Sequence, residues 1–298
     1  MIARLYATPW LLLTFTAMMW ASNAIMGRLA VDDISPGTLV LTRWIMVAGV
    51  MTALYRRELA EAWPAMRARL GLVSFMAFLG FTAFNTVFYI AAERTTAVNV
   101  GILQGSMPVL VLIGAFLAYG DRVRAGQMLG VALTLIGVVT VASRGDWQVI
   151  AGLAFNEGDL IMLGACLLYS AYTVALRARP VVSGVALFTF FSLIAAATAV
   201  PLFAWEVTRP AYAWPTPEGW AISVWVAIFP SCLAQLFFLR GVDLIGPGRA
   251  GVYINLVPIF AALAAVALLG ERFALFHAAA LALVLGGIWL SQRYSQPR

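Results

Sequence analysis

The chain has 298 residues, of which 63% are hydrophobic and 11% are charged, with a formal net charge of +6. Ordinary soluble domains carry about 25% charged residues, and a soluble fold of this length cannot bury so much apolar surface. Most of the chain must therefore lie in a lipid bilayer. All 19 basic residues are arginines that flank apolar runs without forming a basic domain, so we expect no nucleic-acid partner.

Cysteine and histidine are too few to build a cofactor site. Cys166 and Cys232 both fall inside apolar runs, where cysteine behaves as a small core residue. His277 is the single histidine, which leaves no histidine-based metal cluster within one chain. We expect no metal and no cofactor.

Ten apolar runs are long enough to cross about 30 Å of hydrocarbon as helices, which takes about 20 residues at 1.5 Å each. Barrel strands would be half as long and would alternate in polarity. The predicted spans, numbered 1 to 10, are residues 10–30, 37–55, 70–91, 97–119, 125–143, 159–179, 184–205, 219–239, 247–269 and 273–291. The first run has no small-residue cleavage site, so we interpret it as a retained span rather than a signal peptide.

Arginine placement predicts the orientation of these spans. Thirteen arginines lie at the ends that share a face with both termini, and five lie at the opposite ends, namely Arg28, Arg94, Arg144, Arg209 and Arg272. Because cytoplasmic loops are enriched in basic residues, both termini are predicted to be cytoplasmic. We expect a multi-pass, monomeric protein of the bacterial inner membrane, surrounded by the lipid bilayer.

The sequence repeats itself at an offset of 150 residues. The stretch MPVLVLIGAFLAYGDR at 107–122 returns as VPIFAALAAVALLGER at 257–272, with Pro108 matching Pro258 and Gly120 matching Gly270. The copies are five spans apart, an odd number, so they cross the membrane in opposite directions. The sequence thus predicts an all-α integral membrane protein of ten helices, built as two inverted five-helix repeats around a central cavity. The repeats are residues 1–143 and 159–298, joined by an extracytoplasmic linker at 144–158.

Inverted repeats are typical of transporters that work by alternating access, with a substrate site near the midplane. Ten spans, the paired "Pro…Gly-acid-Arg" segments and the stretch MWASNAIMGRLA at 19–30 resemble the EamA-type branch of the drug/metabolite transporter superfamily. The resemblance implies that spans 1–4 and 6–9 enclose the cavity while spans 5 and 10 pack outside it. Within that branch the chain is most similar to exporters of aromatic amino acids. This resemblance implies a transporter and not an enzyme. It also implies that the substrates are aromatic and other bulky hydrophobic amino acids.

Polar groups inside spans are costly and are therefore candidate binding residues. Spans 3 and 8 present two matching triads at the same spacing, which are Phe81, Asn85 and Phe88 and then Ser231, Gln235 and Phe238. The two amides could bind the amino and carboxylate groups of a zwitterion, or they could hydrogen-bond between helices as structural contacts.

Spans 1 and 6 add Trp20 and Asn23, and Tyr169 and Tyr172, on shared helix faces. Their rings could stack on an aromatic substrate or serve only packing. Spans 4 and 9 contribute the polar residues before each proline, which include Gln104, Tyr253 and Asn255. Pro108 and Pro258 can kink their helices and act as gates, or can simply be tolerated in packing.

Arg43 is the one charged residue that lies inside a span and away from its ends. It either binds a substrate carboxylate or extends outward toward Asp32 or Asp33. No Asp or Glu lies in the middle of any span, which argues against proton coupling through a membrane carboxylate. Two alternatives stay open: efflux of another small metabolite or drug, and a membrane-embedded lipid-modifying enzyme, for which a catalytic constellation is not evident.

Overall fold

A computed structural model describes residues 7–152 and 155–294. Ten of its helices are long and apolar enough to cross a membrane, and they follow the predicted spans in order. The helices α1 to α10 are Pro9–Leu29, Pro36–Arg67, Leu70–Arg94, Ala97–Tyr119, Ala125–Ala142, Glu157–Ala178, Gly184–Val207, Pro217–Ile245, Arg249–Leu269 and Leu275–Arg293. The predicted all-helical membrane fold is confirmed.

Helix α2 departs from the expected bounds because it continues as helix to Arg67. At Tyr55, where the span was predicted to end, the backbone leaves the helical region with φ −122° and ψ 26°. The exposed Arg56, Arg57 and Glu58 follow directly. The hydrophobic run therefore ends where predicted, and the polar continuation is a separate helical segment.

The helices pack with the symmetry that two inverted repeats require. Helices α2, α4 and α5 each pack against their own repeat mates, α7, α9 and α10. The α3–α6 contact has its counterpart in the α8–α1 contact. Both relations follow from a two-fold axis lying in the membrane plane.

Helices α5 and α10 cross closely at a pair of glycines. A Cβ atom on Gly130 would lie 2.5 Å from the carbonyl oxygen of Gly287, and a Cβ on Gly287 would lie 2.5 Å from that of Gly130. Small residues allow this approach of two backbones in lipid. Since α5 and α10 pack mainly on each other, they lie to one side of the remaining eight helices.

We call the face that carries both termini the proximal face, and the face that carries the α1–α2, α3–α4, α5–α6, α7–α8 and α9–α10 connections the distal face.

At the distal face two helix N-termini are capped by carboxylates from the opposite repeat. Glu206 accepts the backbone N–H groups of Gly37 and Thr38 at 2.8 and 3.0 Å. Glu271 accepts those of Ala97 and Val98 at 2.8 and 2.9 Å. Each carboxylate satisfies N–H groups that a helix start leaves unpaired.

Candidate functional site

Helices α3 and α8 each contain a turn of π-helix at matching positions. The turns are Phe78–Ala83 and Ala227–Leu233. They directly precede the segments that carry Asn85 and Gln235. A π turn is rare and often marks a functional site, because it rotates the side chains that follow it. The sequence triads were found by spacing alone, whereas the π turns that orient them were not predicted.

Arg43 lies at the centre of a polar cluster between α1, α2, α3 and α8. Its Nε donates to Ser231 Oγ at 2.6 Å, and its Nη1 donates to Asn85 Oδ1 at 2.7 Å. The same Nη1 also donates to Tyr89 Oη at 2.8 Å and to Asn23 Oδ1 at 3.2 Å. All four acceptors belong to neutral side chains. The structure thus brings three predicted site residues together around an arginine.

The outward-extending alternative for Arg43 is wrong. Only 5% of the residue is exposed, and its hydrogen bonds go to neither Asp32 nor Asp33. Asp33 Oδ1 instead accepts the hydroxyl of Thr216 at 2.7 Å. Arg43 starts about seven residues into α2, roughly 10 Å along its axis, and its partners hold it there. Tyr89, which the sequence reasoning missed, lies one helical turn beyond Asn85.

Aromatic rings line the contact between α3 and α6. Tyr169 lies 5.0 Å from Phe84 and 5.4 Å from Tyr172, centroid to centroid. Tyr172 lies 5.3 Å from Phe81, and Phe88 lies 5.8 Å from Phe84. These separations are in the range of favourable ring pairs.

The pseudo-symmetric contact between α1 and α8 repeats this arrangement with fewer rings. Trp20 and Phe238 have their centroids 5.2 Å apart. Phe238 corresponds to Phe88 at the offset of 150 residues, and near the start of each repeat an offset of 149 residues pairs Trp20 with Tyr169. The candidate binding residues on spans 1, 3, 6 and 8 therefore form two aromatic groups on symmetry-related helix pairs. We refer to them together as the aromatic groups.

Several polar groups beside these rings have no protein partner. Within the described residues, the Gln235 amide and the hydroxyls of Tyr169 and Tyr172 make no hydrogen bond, and none is among the fully sealed unpaired side-chain atoms. Such groups pay a desolvation cost unless they meet water or a ligand. They are available to a bound solute.

The predicted residues on α4 and α9 lie in a different setting. Gln104 Nε2 reaches only the Val100 carbonyl at 3.4 Å, Asn255 bonds to Gln292 of α10 at 3.3 Å, and Tyr253 is half-buried. Asn255 thus faces the peripheral pair of helices. A role for these three residues in substrate binding stays a prediction.

The two prolines begin new helical segments rather than bending continuous ones. Pro108 is near the start of Met107–Tyr119, and Pro258 is near the start of Val257–Leu269. The break before each is a turn at Gly105 and a 3₁₀ stretch at Tyr253–Leu256. Proline is well tolerated at the first helical positions because no N–H is needed there. Their gating role stays a prediction, but each helix has a matched break where a hinge would lie.

The proximal and distal halves of the α4–α9 contact differ. A Cβ on Gly101, near the distal face, would lie 2.5 Å from Ala261 Cβ. Its repeat mate Gly251, near the proximal face, has no atom of the described residues within 4 Å of the same position. At this pair of positions the distal one is tightly packed and the proximal one is open among the described residues.

A separate cavity of about 490 Å³ opens at the distal face. Its lining includes four of the five arginines that lie at the span ends opposite the two termini, namely Arg28, Arg94, Arg144 and Arg272. His277 accepts the Ala274 N–H on Nδ1, so Nε2 carries the proton and donates to Asn99 Oδ1 at 3.1 Å. Asn99 in turn donates to both oxygens of the buried Asp159 at 3.1 Å. The sequence reasoning did not predict this cavity, although the distal arginines were its signal.

Comparison with known proteins identifies the family. The family model described as "EamA-like transporter family" matches residues 8–143 and 156–292. The chain belongs to the EamA-like transporter family. This agrees with the family resemblance of the sequence and makes the protein a membrane transporter.

Relatives of this transporter extend over nearly its whole length. Uncharacterized transporter YyaM of Bacillus subtilis is 26% identical, with 88% of this chain and 86% of its own covered. Uncharacterized transporter YetK of the same organism is 23% identical, covering 91% and 82%. An uncharacterized transporter of Archaeoglobus fulgidus is 25% identical, covering 94% and 96%. These names indicate transport and give no substrate.

A solved structure supports the fold of the transporter independently. A chain described as "Crystal structure of protein" superposes with a TM-score of 0.62 at 19% identity, covering 94% of each chain. At that identity the likeness concerns the fold alone.

Proposed function

We propose that this EamA-like transporter exports aromatic and other bulky hydrophobic amino acids from the cytoplasm by alternating access. The observation that carries the proposal is the pair of aromatic groups on symmetry-related helices, bordered by polar groups that lack protein partners. Rings would stack on the substrate side chain, while Gln235 and the two tyrosine hydroxyls would bind its polar end. This substrate class is the one expected from the sequence, and the names of the relatives give transport without a substrate.

The energetics suit a carrier that must release its cargo. Burying an aromatic ring of 150–250 Å² at about 25 cal/mol/Å² gains roughly 4–6 kcal/mol before costs. Lost motion and desolvation of the zwitterion take back much of this gain. The expected affinity is weak, so the substrate can leave on the far side.

The unequal packing of α4 and α9 supports a state closed at the distal face. Gly101 packs against Ala261, whereas no described residue comes within 4 Å of a Cβ at Gly251. If the proximal face is cytoplasmic, as the arginine distribution predicts, this state loads substrate from inside the cell. Exchange of the two packing arrangements between repeats would then open the distal face.

Coupling to protons through a mid-membrane carboxylate is not part of the proposal. Among the described residues, the buried Asp159 lies in the first turn of α6, and Glu93 and Glu271 lie at helix ends. We propose instead that the amino acid gradient drives net movement.

Transport by purified protein in liposomes tests the proposal. Trp20→Ala removes the ring that packs on Phe238, so we expect phenylalanine transport to fall to background at unchanged membrane expression. Trp289→Ala is the matched control, since Trp289 lies 57% exposed on the peripheral α10 and should transport normally. Wild-type rates in Trp20→Ala would count against the aromatic groups as the binding site.

A further inference from the structure

Arg43 has hydrogen-bonding capacity that its protein partners do not use. Nε and Nη1 donate to Ser231, Asn85, Tyr89 and Asn23. Nη2 makes no hydrogen bond to any described residue. Two side-chain atoms of the described chain are fully buried without a hydrogen-bond partner, namely the hydroxyls of Thr52 and Ser106. Nη2 is not one of them. Nη2 therefore keeps a small accessible surface, although the residue as a whole is only 5% exposed.

The charge of Arg43 is also uncompensated. The ion pairs among the described residues are Arg94 with Glu157 and Arg177 with Asp121, and Arg43 takes part in neither. Its guanidinium rests over the ring of Trp44 at 5.1 Å, which offsets part of the charge. A buried cation in a membrane protein needs an anion or water, and its presence usually marks a functional site.

The surrounding contacts hold the guanidinium in place before any ligand arrives. Four side chains from three other helices fix Nε and Nη1. Tyr89 adds to this by donating its own hydroxyl to Asn23 Oδ1 at 2.9 Å. Because every partner is a neutral acceptor, the positive charge is kept rather than cancelled. A fixed, charged donor with a free N–H edge is suited to a carboxylate.

We infer that Arg43 is the carboxylate-binding residue of the transport site, and that the transporter selects solutes carrying a carboxylate group. This inference rests on the proposed function for the location of the site, since Asn23, Asn85 and Ser231 border the aromatic groups. It narrows the substrate class to aromatic acids, including amino acids, and disfavours aromatic amines and amides. A solute carboxylate accepting from Nη2 would supply the charge that the protein omits.

A competition experiment on the wild-type protein tests this without any mutation. Radiolabelled tryptophan bound to the purified transporter is competed with tryptophan, indole-3-pyruvate, tryptophanamide and tryptamine. A hydrogen bond to a charged group corresponds to roughly a 10- to 100-fold change in affinity. The two acids should therefore compete at least about 10-fold more strongly than the amide and the amine. Equal competition by all four compounds would overturn the carboxylate inference while leaving aromatic transport intact.

A non-aromatic carboxylate tests the Arg43 inference separately from the proposed transport of aromatic solutes. If labelled tryptophan does not bind but a labelled aliphatic carboxylate does, and its amide does not compete, the Arg43 inference stands and the aromatic function fails. If no carboxylate binds, the inference fails.

Variants of the arginine provide the residue-level test. Arg43→Gln should lose the preference for tryptophan over tryptophanamide, and Arg43→Lys should keep a weaker one. Arg177→Gln is the matched control, because Arg177 pairs with Asp121 outside the site and should leave the preference unchanged. Folding of each variant is checked by gel filtration, and the competition series on wild type decides the inference if Arg43→Gln does not fold. An undiminished acid preference in folded Arg43→Gln would contradict the assignment.

Discussion

Gly80 lies directly against the ring of Tyr172. A Cβ atom at residue 80 would fall 2.5 Å from the Cγ of that ring and 2.7 Å from its Cδ1. Gly80 is inside the π turn of α3, and Tyr172 is in α6, so the pair joins the two repeats beside the aromatic groups. The absence of a side chain at residue 80 allows Tyr172 to pack here.

Replacing Gly80 with alanine should therefore displace the Tyr172 ring. Overpacking of this kind costs about 1–3 kcal/mol, and the ring would shift within the proposed site. We expect Gly80→Ala to reduce phenylalanine transport about 10-fold or more in liposomes. Gly71→Ala is the control in the same helix, since no atom of the described residues lies within 4 Å of its Cβ position. Equal transport by the two variants would show that the placement of Tyr172 is not important.

Gln235 should contribute to binding and not to stability. Its amide makes no hydrogen bond within the described chain, so Gln235→Ala removes no protein contact of that kind. Loss of one hydrogen bond to the substrate, about 1 kcal/mol, should weaken tryptophan binding about 5-fold. The melting temperature in detergent should not fall.

Gln127 provides the opposite pattern as a control. Its Oε1 accepts the Arg124 N–H at 2.9 Å and caps the start of the peripheral α5. Gln127→Ala should lower the melting temperature and leave tryptophan affinity unchanged. If Gln235→Ala instead lowers stability and spares affinity, Gln235 is a structural residue.

Glu271 should stabilise the start of α4 by capping it. Glu271→Ala removes the acceptor for the N–H groups of Ala97 and Val98. Loss of a helix cap costs about 0.5–2 kcal/mol, so thermal denaturation in detergent should occur at a lower temperature. Glu58→Ala, at an exposed site whose side chain makes no hydrogen bond in the described chain, should be neutral. Indistinguishable melting curves would mean that the cap adds no net stability.

The orientation can be tested by cysteine labelling in intact cells. Cys166 and Cys232 are buried and are replaced with alanine to remove background. Asn156→Cys, at the distal face, should react with an impermeant maleimide added to the medium. Arg122→Cys, at the proximal face, should react only after permeabilisation. The reverse pattern would place both termini outside.

Sequence alone predicted the helices and their repeat well, because the length of an apolar run and a fixed offset can both be read from the order of residues. It assigned Phe81, Asn85 and Tyr172 to the candidate site by their spacing on helix faces. It did not predict the π turns, since these depend on packing between helices rather than on local composition. For the same reason it left Arg43 undecided, because its acceptors come from three other helices.

Asn255 shows what the spacing of residues along a helix does not predict. The residue was predicted as a site residue because it is polar and lies just before Pro258, yet its amide bonds to Gln292 of α10. Spacing reports which face of a helix a residue shares, but not which neighbouring helix that face meets.

Counterflow of radiolabelled tryptophan tests the central claim most directly. Liposomes containing the purified wild-type protein are loaded with unlabelled tryptophan and diluted into labelled tryptophan at equal pH on both sides. We predict transient accumulation of label above equilibrium, abolished by excess external phenylalanine and absent from unloaded liposomes. No accumulation with folded, reconstituted protein, or accumulation only with an imposed pH gradient, would contradict the account.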